Sequence, residues 1–338
     1  MHSIKKIKSL TLSKDQKIFE AIKKINLSKI KILFVVDKKN KLLGSVSSGD
    51  IRRSISKKID LNQNVQNIMF KKPKYLLKKE KIETSKEYLI CIPILNKKKE
   101  IIDFQYSEII KKDKRNTIFL MAGGKGTRLL PLTKKTPKPL LRIKGIPIIE
   151  KIISNFRNQG FKNFIISVNY LGYKIKKYLG NGKNLKVNIT YIDEKRYLGT
   201  AGSLSLINFK KTIFPIIIAN SDLISEIDYN NLINYHNKKT SDLTICAKNK
   251  IFQMPYGEIL QNREKVKKII EKPVMNHLVN AGVYVADKKI LKNIVKNKEL
   301  MMNDFIAQQL KRNKKVYSYP IYENWIDIGN KIDFYNNR

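Results

Sequence analysis

Between Ile118 and Leu141 the chain reads IFLMAGGKGTRLLPLTKKTPKPLL. An apolar run ending at Ala122 enters a bend with three glycines, Gly123, Gly124 and Gly126, that also carries Lys125, Thr127 and Arg128. Glycine lets the backbone approach an anion closely, and a buried strand running into such a bend presents N–H groups and fixed positive charge together. Pro131 and the Pro137-Lys138-Pro139 segment stiffen a second cationic limb that aims Lys138 back at the same anion. The chemistry this predicts is phosphate binding, with electrostatic stabilisation of charge on the phosphate during reaction. Two common phosphate loops are excluded: the G-x-x-x-x-G-K-[ST] pattern is not met, and the dinucleotide pattern fails because position 129 is leucine.

A sheet must position this loop. From residue 116 onward, apolar runs alternate with amphipathic stretches: NTIFLMA, a helix from Pro147 to Gly160, FIISVNY, a helix from Tyr173 to Leu179, VNITYID, a helix from Ala201, FPIIIANSD, a helix near Asp228 to His236, and DLTICAKN. Apolar runs of that length, separated by helices, predict an α/β domain with a Rossmann-like, mostly parallel sheet covered on both faces. Ligands collect at the carboxyl ends of such strands. Three positions qualify: the loop after Ala122, Glu194 after YID, and Asp222 after IIIANS.

The N-terminal third is patterned differently, and the charged stretch IIKKDKRN marks a boundary near residue 112, giving domains at 1–112 and 116–338. SKDQKIFEAIKKI predicts a helix with Ser13 as N-cap, ILFVVD and KLLGSVS pair around a turn at Lys38 to Asn40, and GDIRRSI opens a second helix. A weaker echo follows about 50 residues on: a polar, helical stretch from Pro73 to Tyr88, the strands LICIPIL and EIIDFQY, and a helical turn in SEIIKK. Repetition of a small α+β unit that cannot close a core alone predicts a paired module.

Composition narrows the partners. The formal net charge is +41, yet only ten of the 69 basic residues are arginine, and the lysines are scattered through every segment. A base-reading surface concentrates arginine, so the charge predicts a solvated lysine-rich surface and no specific nucleic-acid partner. Cys91 and Cys246 lie in apolar runs without C-x-x-C spacing and read as buried hydrophobes. The N-terminal residues lack the apolar core of a signal peptide, and no run approaches the roughly 18 apolar residues of a membrane span, so a cytoplasmic location is expected.

The segment MAGGKGTRLLPLTKKTPKPLL closely resembles the signature of sugar-1-phosphate nucleotidyltransferases, and the likeness extends over about residues 116 to 336. It implies an enzyme in which a sugar-1-phosphate oxygen attacks the α-phosphorus of a nucleoside triphosphate and pyrophosphate leaves. In family terms Arg128 stabilises the departing pyrophosphate, Lys138 grips the α-phosphate region, and the loop from Ala122 through Gly123, Gly124, Gly126 and Thr127 holds the triphosphate. Asp222, in Asn220-Ser221-Asp222, matches an N-G-D element with serine in place of the commoner glycine. Asp327 matches the aspartate of W-x-D-I-G, so the two carboxylates are implied ligands of Mg²⁺.

The resemblance also implies sugar contacts at Gly257, Glu271, Lys272 and Asn280, with Lys272 pairing with the sugar phosphate. It puts base selection at Glu194 and the LGTAG stretch containing Gly199 and Thr200. A carboxylate accepts from the N1–H and N2–H₂ edge of guanine, which favours GTP; uridylyl- and thymidylyltransferases of the same family stay open as alternatives. The N-terminal residues LFVVDKKNKLLGSVSSGDIRR resemble a CBS-domain pair, a family in which the positions of Ser47 and Asp50 often hold an adenine nucleotide; both residues also suit an ordinary helix N-cap. This domain order is similar to glucosamine-1-phosphate and mannose-1-phosphate guanylyltransferases, which makes an amino sugar phosphate the expected acceptor and a homo-oligomer the expected state. A non-catalytic, nucleotide-sensing subunit would be expected to lose at least one of Arg128, Lys138, Asp222 and Asp327, and all four are present.

Overall fold

The computed structural model describes residues 7–28, 30–77, 91–106, 114–329 and 331–338. The chain divides into two compact units, one of Met1–Ile110, Asn249–Val279 and Pro320–Glu323, the other of Lys111–Lys248, Asn280–Tyr319 and Asn324–Arg338.

In the first unit, β1 (Thr11–Ser13), β2 (Ile32–Val36) and β3 (Leu42–Ser47) form one sheet, with α1 (Ile18–Leu27) and α2 (Ser48–Ser56). β2 and β3 pair antiparallel about the predicted turn, where Asn40 takes a left-handed φ of 60°. Ser13 does not cap α1. It ends β1 opposite Val36, its N–H donates to the Gln16 side chain, and the helix starts after Lys17, whose N–H donates to Glu20.

The second sheet joins β4 (Leu76–Leu77), β5 (Cys91–Leu95) and β6 (Ile101–Tyr106). Leu76 and Leu77 pair parallel with β5, so the stretch begun at Pro73 is extended there; the rest of its predicted helix lies outside the described residues, as do the SEIIKK turn and most of the charged connector. Both sheets share one core, with Phe34 stacked on Phe104 at 5.3 Å. A hairpin, β13 (Glu258–Asn262) with β14 (Lys265–Ile270), also belongs to this unit.

The second unit is built on a seven-stranded sheet in the order β9-β8-β7-β10-β15-β12-β16. The strands are β7 (Lys114–Ala122), β8 (Phe161–Val168), β9 (Asn188–Asp193), β10 (Ile216–Asn220), β12 (Leu243–Gln253), β15 (Val274–Ala286) and β16 (Val316–Ile321). β8, β7 and β10 run parallel, as do β8 and β9, whereas β15 is antiparallel to β10. Ile118, Phe119 and Leu120 on consecutive positions of β7 are all fully buried, so both faces of the sheet are covered, which is why the run is uninterrupted rather than alternating. Each such side chain contributes roughly 1.5–3 kcal/mol by leaving water.

Helices α3 (Ile148–Asn158), α4 (Gly172–Leu179) and α6 (Tyr229–Lys238) follow β-strands as predicted, and α6 is capped by Asp228, which accepts from the Asn231 N–H at 2.9 Å. The predicted helix at Ala201 is one short turn, α5 (Gly199–Gly202), continuing as a tighter 3₁₀ turn to Leu206. Both cysteines are buried. Among the described residues no helix is long and apolar enough to cross a membrane.

Candidate active site

The carboxyl ends of β7 and β10 open into a cavity of about 560 Å³ in the second unit. Its lining includes Ala122, Gly123, Gly124, Gly126, Thr127, Arg128, Lys138, Glu194, Gly199, Thr200 and Asp222, so the three strand-end positions singled out in the sequence meet in one place.

The glycine loop is anchored at both ends and open in the middle. Ala122, Gly123 and Leu129 are buried, while Gly124, Lys125, Thr127 and Arg128 are exposed. Gly126 takes a left-handed φ of 65°, and its carbonyl accepts from the Thr133 hydroxyl at 2.9 Å. A Cβ on Gly126 would lie 3.2 Å from Lys138 Cβ, which brings the proline-stiffened limb against the glycine limb.

Lys138 is buried, and its ammonium is ion-paired with the Asp222 carboxylate. Asp222 lies in the turn just after β10, and the short strand β11 (Leu223–Ser225) pairs antiparallel with β17 (Trp325–Asp327) in a register that sets Leu223 opposite Asp327. The Ile328 N–H donates to the Asp222 carbonyl at 3.1 Å, and the Trp325 indole N–H donates to the Ala281 carbonyl at 2.9 Å. Two aspartates about a hundred residues apart in sequence are thereby neighbours. Burial pushes the Asp327 carboxyl above the usual carboxylate range and the adjacent Asp222 adds to this, while Lys138 and Arg128 pull the other way.

These residues suit a hard divalent cation. Asp222 Oδ1 is buried and has no hydrogen-bond partner, an acceptor that a cation would satisfy. Among the described residues no three His, Cys, Asp or Glu side chains cluster as a ligand set. With Asp222 and Asp327 as its protein ligands, a bound cation would take its other coordination positions from phosphate oxygens and water, which suits Mg²⁺.

Glu194 is buried at the cavity wall. The Ser167 hydroxyl donates to its Oε1 and the Leu198 N–H to its Oε2 at 3.0 Å. Burial raises the Glu194 pKa, and those two donors offset part of the rise. A Cβ on Gly123 would stand 2.7 Å from Oε1, so a larger residue there would displace the carboxylate. Gly199 has a φ of 75°, and a Cβ would meet the Leu300 carbonyl oxygen at 2.6 Å, so the LGTAG turn is closed to side chains at that point. The Thr200 hydroxyl accepts from the Met302 N–H at 2.7 Å and so fixes the turn from its far side.

The structure adds Tyr197, Ser203 and Met301, which lie outside the motifs, and Asn220 and Gly329 from within them, to the cavity lining. Ser221 donates its hydroxyl to the Met121 carbonyl at 2.7 Å, tying the end of β10 to the end of β7; a glycine could not make that bond. Asn280 is in the same unit but does not line the cavity: its Oδ1 accepts from Gly282 N–H at 3.0 Å and its Nδ2 donates to Asn303 at 3.3 Å. Gly257, Glu271 and Lys272 belong to the first unit, all exposed, with Glu271 Oε2 3.2 Å from where a Gly257 Cβ would stand. Ser47 and Asp50 do come together, as a capping box on α2. Ser47 N–H and hydroxyl both donate to Asp50 Oδ2, at 2.8 and 2.6 Å, and Arg53 pairs with Oδ1 at 2.5 Å.

Residues 117–338, two-thirds of the chain, match the family model described as Nucleotidyl transferase. The chain belongs to the nucleotidyl transferase family. Residues 4–57 of this nucleotidyl transferase match the CBS domain model. A mannose-1-phosphate guanyltransferase of Pichia angusta is 32% identical over 226 residues, covering 64% of this chain and 61% of the relative. The Saccharomyces cerevisiae mannose-1-phosphate guanyltransferase is 31% identical over 226 residues, 64% of this chain and 62% of the relative. The matched stretch thus spans about three-fifths of the length of these curated relatives. Among solved structures, HddC from Yersinia pseudotuberculosis, solved alone and complexed with GMP-PN, superposes with a TM-score of 0.52 at 26% identity, covering 66% of this chain and 97% of HddC.

Proposed function

We propose that the protein transfers a nucleotidyl group, GMP from GTP, to a sugar-1-phosphate, giving a nucleoside-diphosphate sugar and pyrophosphate. The observation that carries this is the convergence of Arg128, Lys138 and Asp222 on one cavity that also holds the glycine loop and Glu194. The similarity to mannose-1-phosphate guanyltransferases and to a protein solved with GMP-PN supports the guanine assignment.

The attacking group is a phosphate oxygen already ionised at neutral pH, so the chain needs no nucleophile or general base of its own. Its work is positioning and charge neutralisation. The Gly123 to Thr127 backbone holds the triphosphate, exposed Arg128 meets the charge that develops on the departing pyrophosphate, and Lys138 turns from Asp222 to the α-phosphate. When bound at Asp222 and Asp327, Mg²⁺ supplies further neutralisation of the phosphate oxygens. Glu194 accepts from the guanine N1–H and N2–H₂ edge. Asn280 is assigned to the sugar phosphate, with glucosamine-1-phosphate or mannose-1-phosphate as the acceptor. At the CBS domain, Ser47 and Asp50 would exchange the bonds that now close the capping box for the ribose of an adenine nucleotide, with Asp50 accepting from a ribose hydroxyl.

Pyrophosphate release from a panel of nucleoside triphosphates and sugar-1-phosphates tests the proposal. GTP with at least one hexose- or hexosamine-1-phosphate is expected to turn over fastest; no release with any pair would end the enzymatic reading.

A further inference from the structure

Ser167 is a fully buried hydroxyl on β8, one residue from the strand's carboxyl end, and no motif of the loop or the metal site contains it. Its hydroxyl donates to Glu194 Oε1. Glu194 is otherwise held by its own backbone, which donates from its N–H to the Val168 carbonyl at 3.0 Å and accepts from the Asn169 amide at 2.8 Å, and by the Leu198 N–H on Oε2. The terminal torsion of a glutamate is broad and roughly two-fold, so anchoring the backbone does not set the plane of the carboxylate. One donor on each oxygen does.

A carboxylate offers about four acceptor positions. Ser167 and Leu198 use one on each oxygen and leave one on each, on a group that lines the cavity wall. Two parallel acceptors in a fixed plane complement the paired N1–H and N2–H₂ donors of guanine.

We propose that Ser167 is a positioning residue for nucleotide selection, its hydroxyl fixing the plane of the Glu194 carboxylate so that the remaining lone pairs face the base. This rests on the reading of Glu194 as the base-selecting group. Ser167 itself does not touch the nucleotide. It is silent in a motif search because a lone serine in an apolar strand carries no signal until the fold sets it against residue 194.

The test compares GTP with ITP, which keeps N1–H and lacks the N2 amino group, in the full-length protein and in the variants S167A, S167T, E194Q and S167A/E194Q. The wild type is expected to favour GTP in kcat/KM. S167A should lower that preference about tenfold, chiefly through KM for GTP, the size of effect expected for hydrogen bonding to a charged group. S167T, which keeps the hydroxyl, should restore it, and S167A should add nothing in the E194Q background. If S167A fails to fold, S167C, nearer in volume and a weak donor, is measured instead with the same expectation of loss. A preference lowered by E194Q but untouched by S167A or S167C overturns the role of Ser167 and leaves the Glu194 reading standing. A wild type or an E194Q variant showing no change in GTP over ITP overturns the Glu194 reading, and the positioning role with it.

Discussion

Lys138 keeps its ammonium on the Asp222 carboxylate, although 84 residues separate them in the chain. The cation that grips the α-phosphate in the proposed reaction and the anion that holds Mg²⁺ therefore neutralise one another across the cavity. A divalent cation arriving at Asp222 must compete with a like charge already in place. Lys138→Met should accordingly bind Mn²⁺ more tightly than the wild type without nucleotide, by about tenfold at a partly solvated site, while losing turnover. Titration followed by the electron paramagnetic resonance of free Mn²⁺ measures the first effect; equal or weaker binding by the variant would show that the ion pair does not guard the site.

Arg128 differs from Lys138 in being exposed, beside a fully buried Leu129, and its guanidinium acts on Asp327 through charge rather than packing. Arg128→Ala should leave the melting temperature within about a degree or two of the wild type, since surface substitutions away from special features are usually worth less than ~0.5 kcal/mol. Its kcat should fall roughly 10²-fold or more if the charge is used on the leaving pyrophosphate. Steady-state kinetics beside a thermal scan separates the two; a loss confined to KM would move Arg128 from leaving-group stabilisation to ground-state binding.

His236 on α6 is 1% exposed. Its Nδ1 is 2.8 Å from the Thr244 hydroxyl and its Nε2 is 3.5 Å from Asp287. Burial lowers its pKa, and Asp287 opposes that only in part. A basic group depressed in the folded state leaves stability intact above its unfolded value near 6.5 and removes it as pH falls toward the folded value, because the unfolded chain takes up the proton first. Denaturant unfolding at pH 7.5 and pH 5.5 should show the wild type losing about 1 kcal/mol more than His236→Gln on acidification. Equal losses would place the acid sensitivity elsewhere.

Arg52 and Glu323 form a buried ion pair in the first unit, with side chains 10% and 2% exposed, and Arg52 also lies over the Tyr322 ring at 4.8 Å. The Tyr322 hydroxyl is 2.7 Å from the Ser48 hydroxyl. Removing one partner strands a buried charge, so Arg52→Ala or Glu323→Ala should each destabilise this unit by about 3–5 kcal/mol. Replacing both with apolar residues of similar volume, as Arg52→Met with Glu323→Leu, should cost much less. Chemical denaturation of the three variants decides it; a double variant no better than the singles would mean that the pair is net stabilising in its own right.

The elements that a single stretch of sequence determines were legible in it. Ile118 to Ala122 and Ile216 to Ala219 announce buried parallel strands because both faces must be apolar, and Gly123, Gly124 and Gly126 announce a close backbone approach. What escaped depends on distant partners or on competing local bonds. Ser13 has a good capping side chain, yet strand pairing with Val36 and the Gln16 side chain claim its backbone first, and the helix waits until Ile18. The Ala201 helix is short because Gly199 and Gly202 press against the backbone at Leu300 and Lys298, contacts that no local pattern encodes. Within the site, the glycine loop, Glu194 and Asp222 were readable as strand ends, whereas the Lys138–Asp222 pair and the Ser167–Glu194 bond join residues far apart in the chain and become visible only once the sheet sets β9, β8, β7 and β10 side by side.

In the proposed reaction the acceptor attacks the α-phosphorus of GTP. Incubation with a reactive sugar-1-phosphate and GTP labelled in either the α- or the γ-phosphate follows the bonds directly. The α-label is expected in the nucleoside-diphosphate sugar and the γ-label in pyrophosphate. Label from the γ-position appearing on the sugar or as free phosphate, with GDP as the other product, would contradict it.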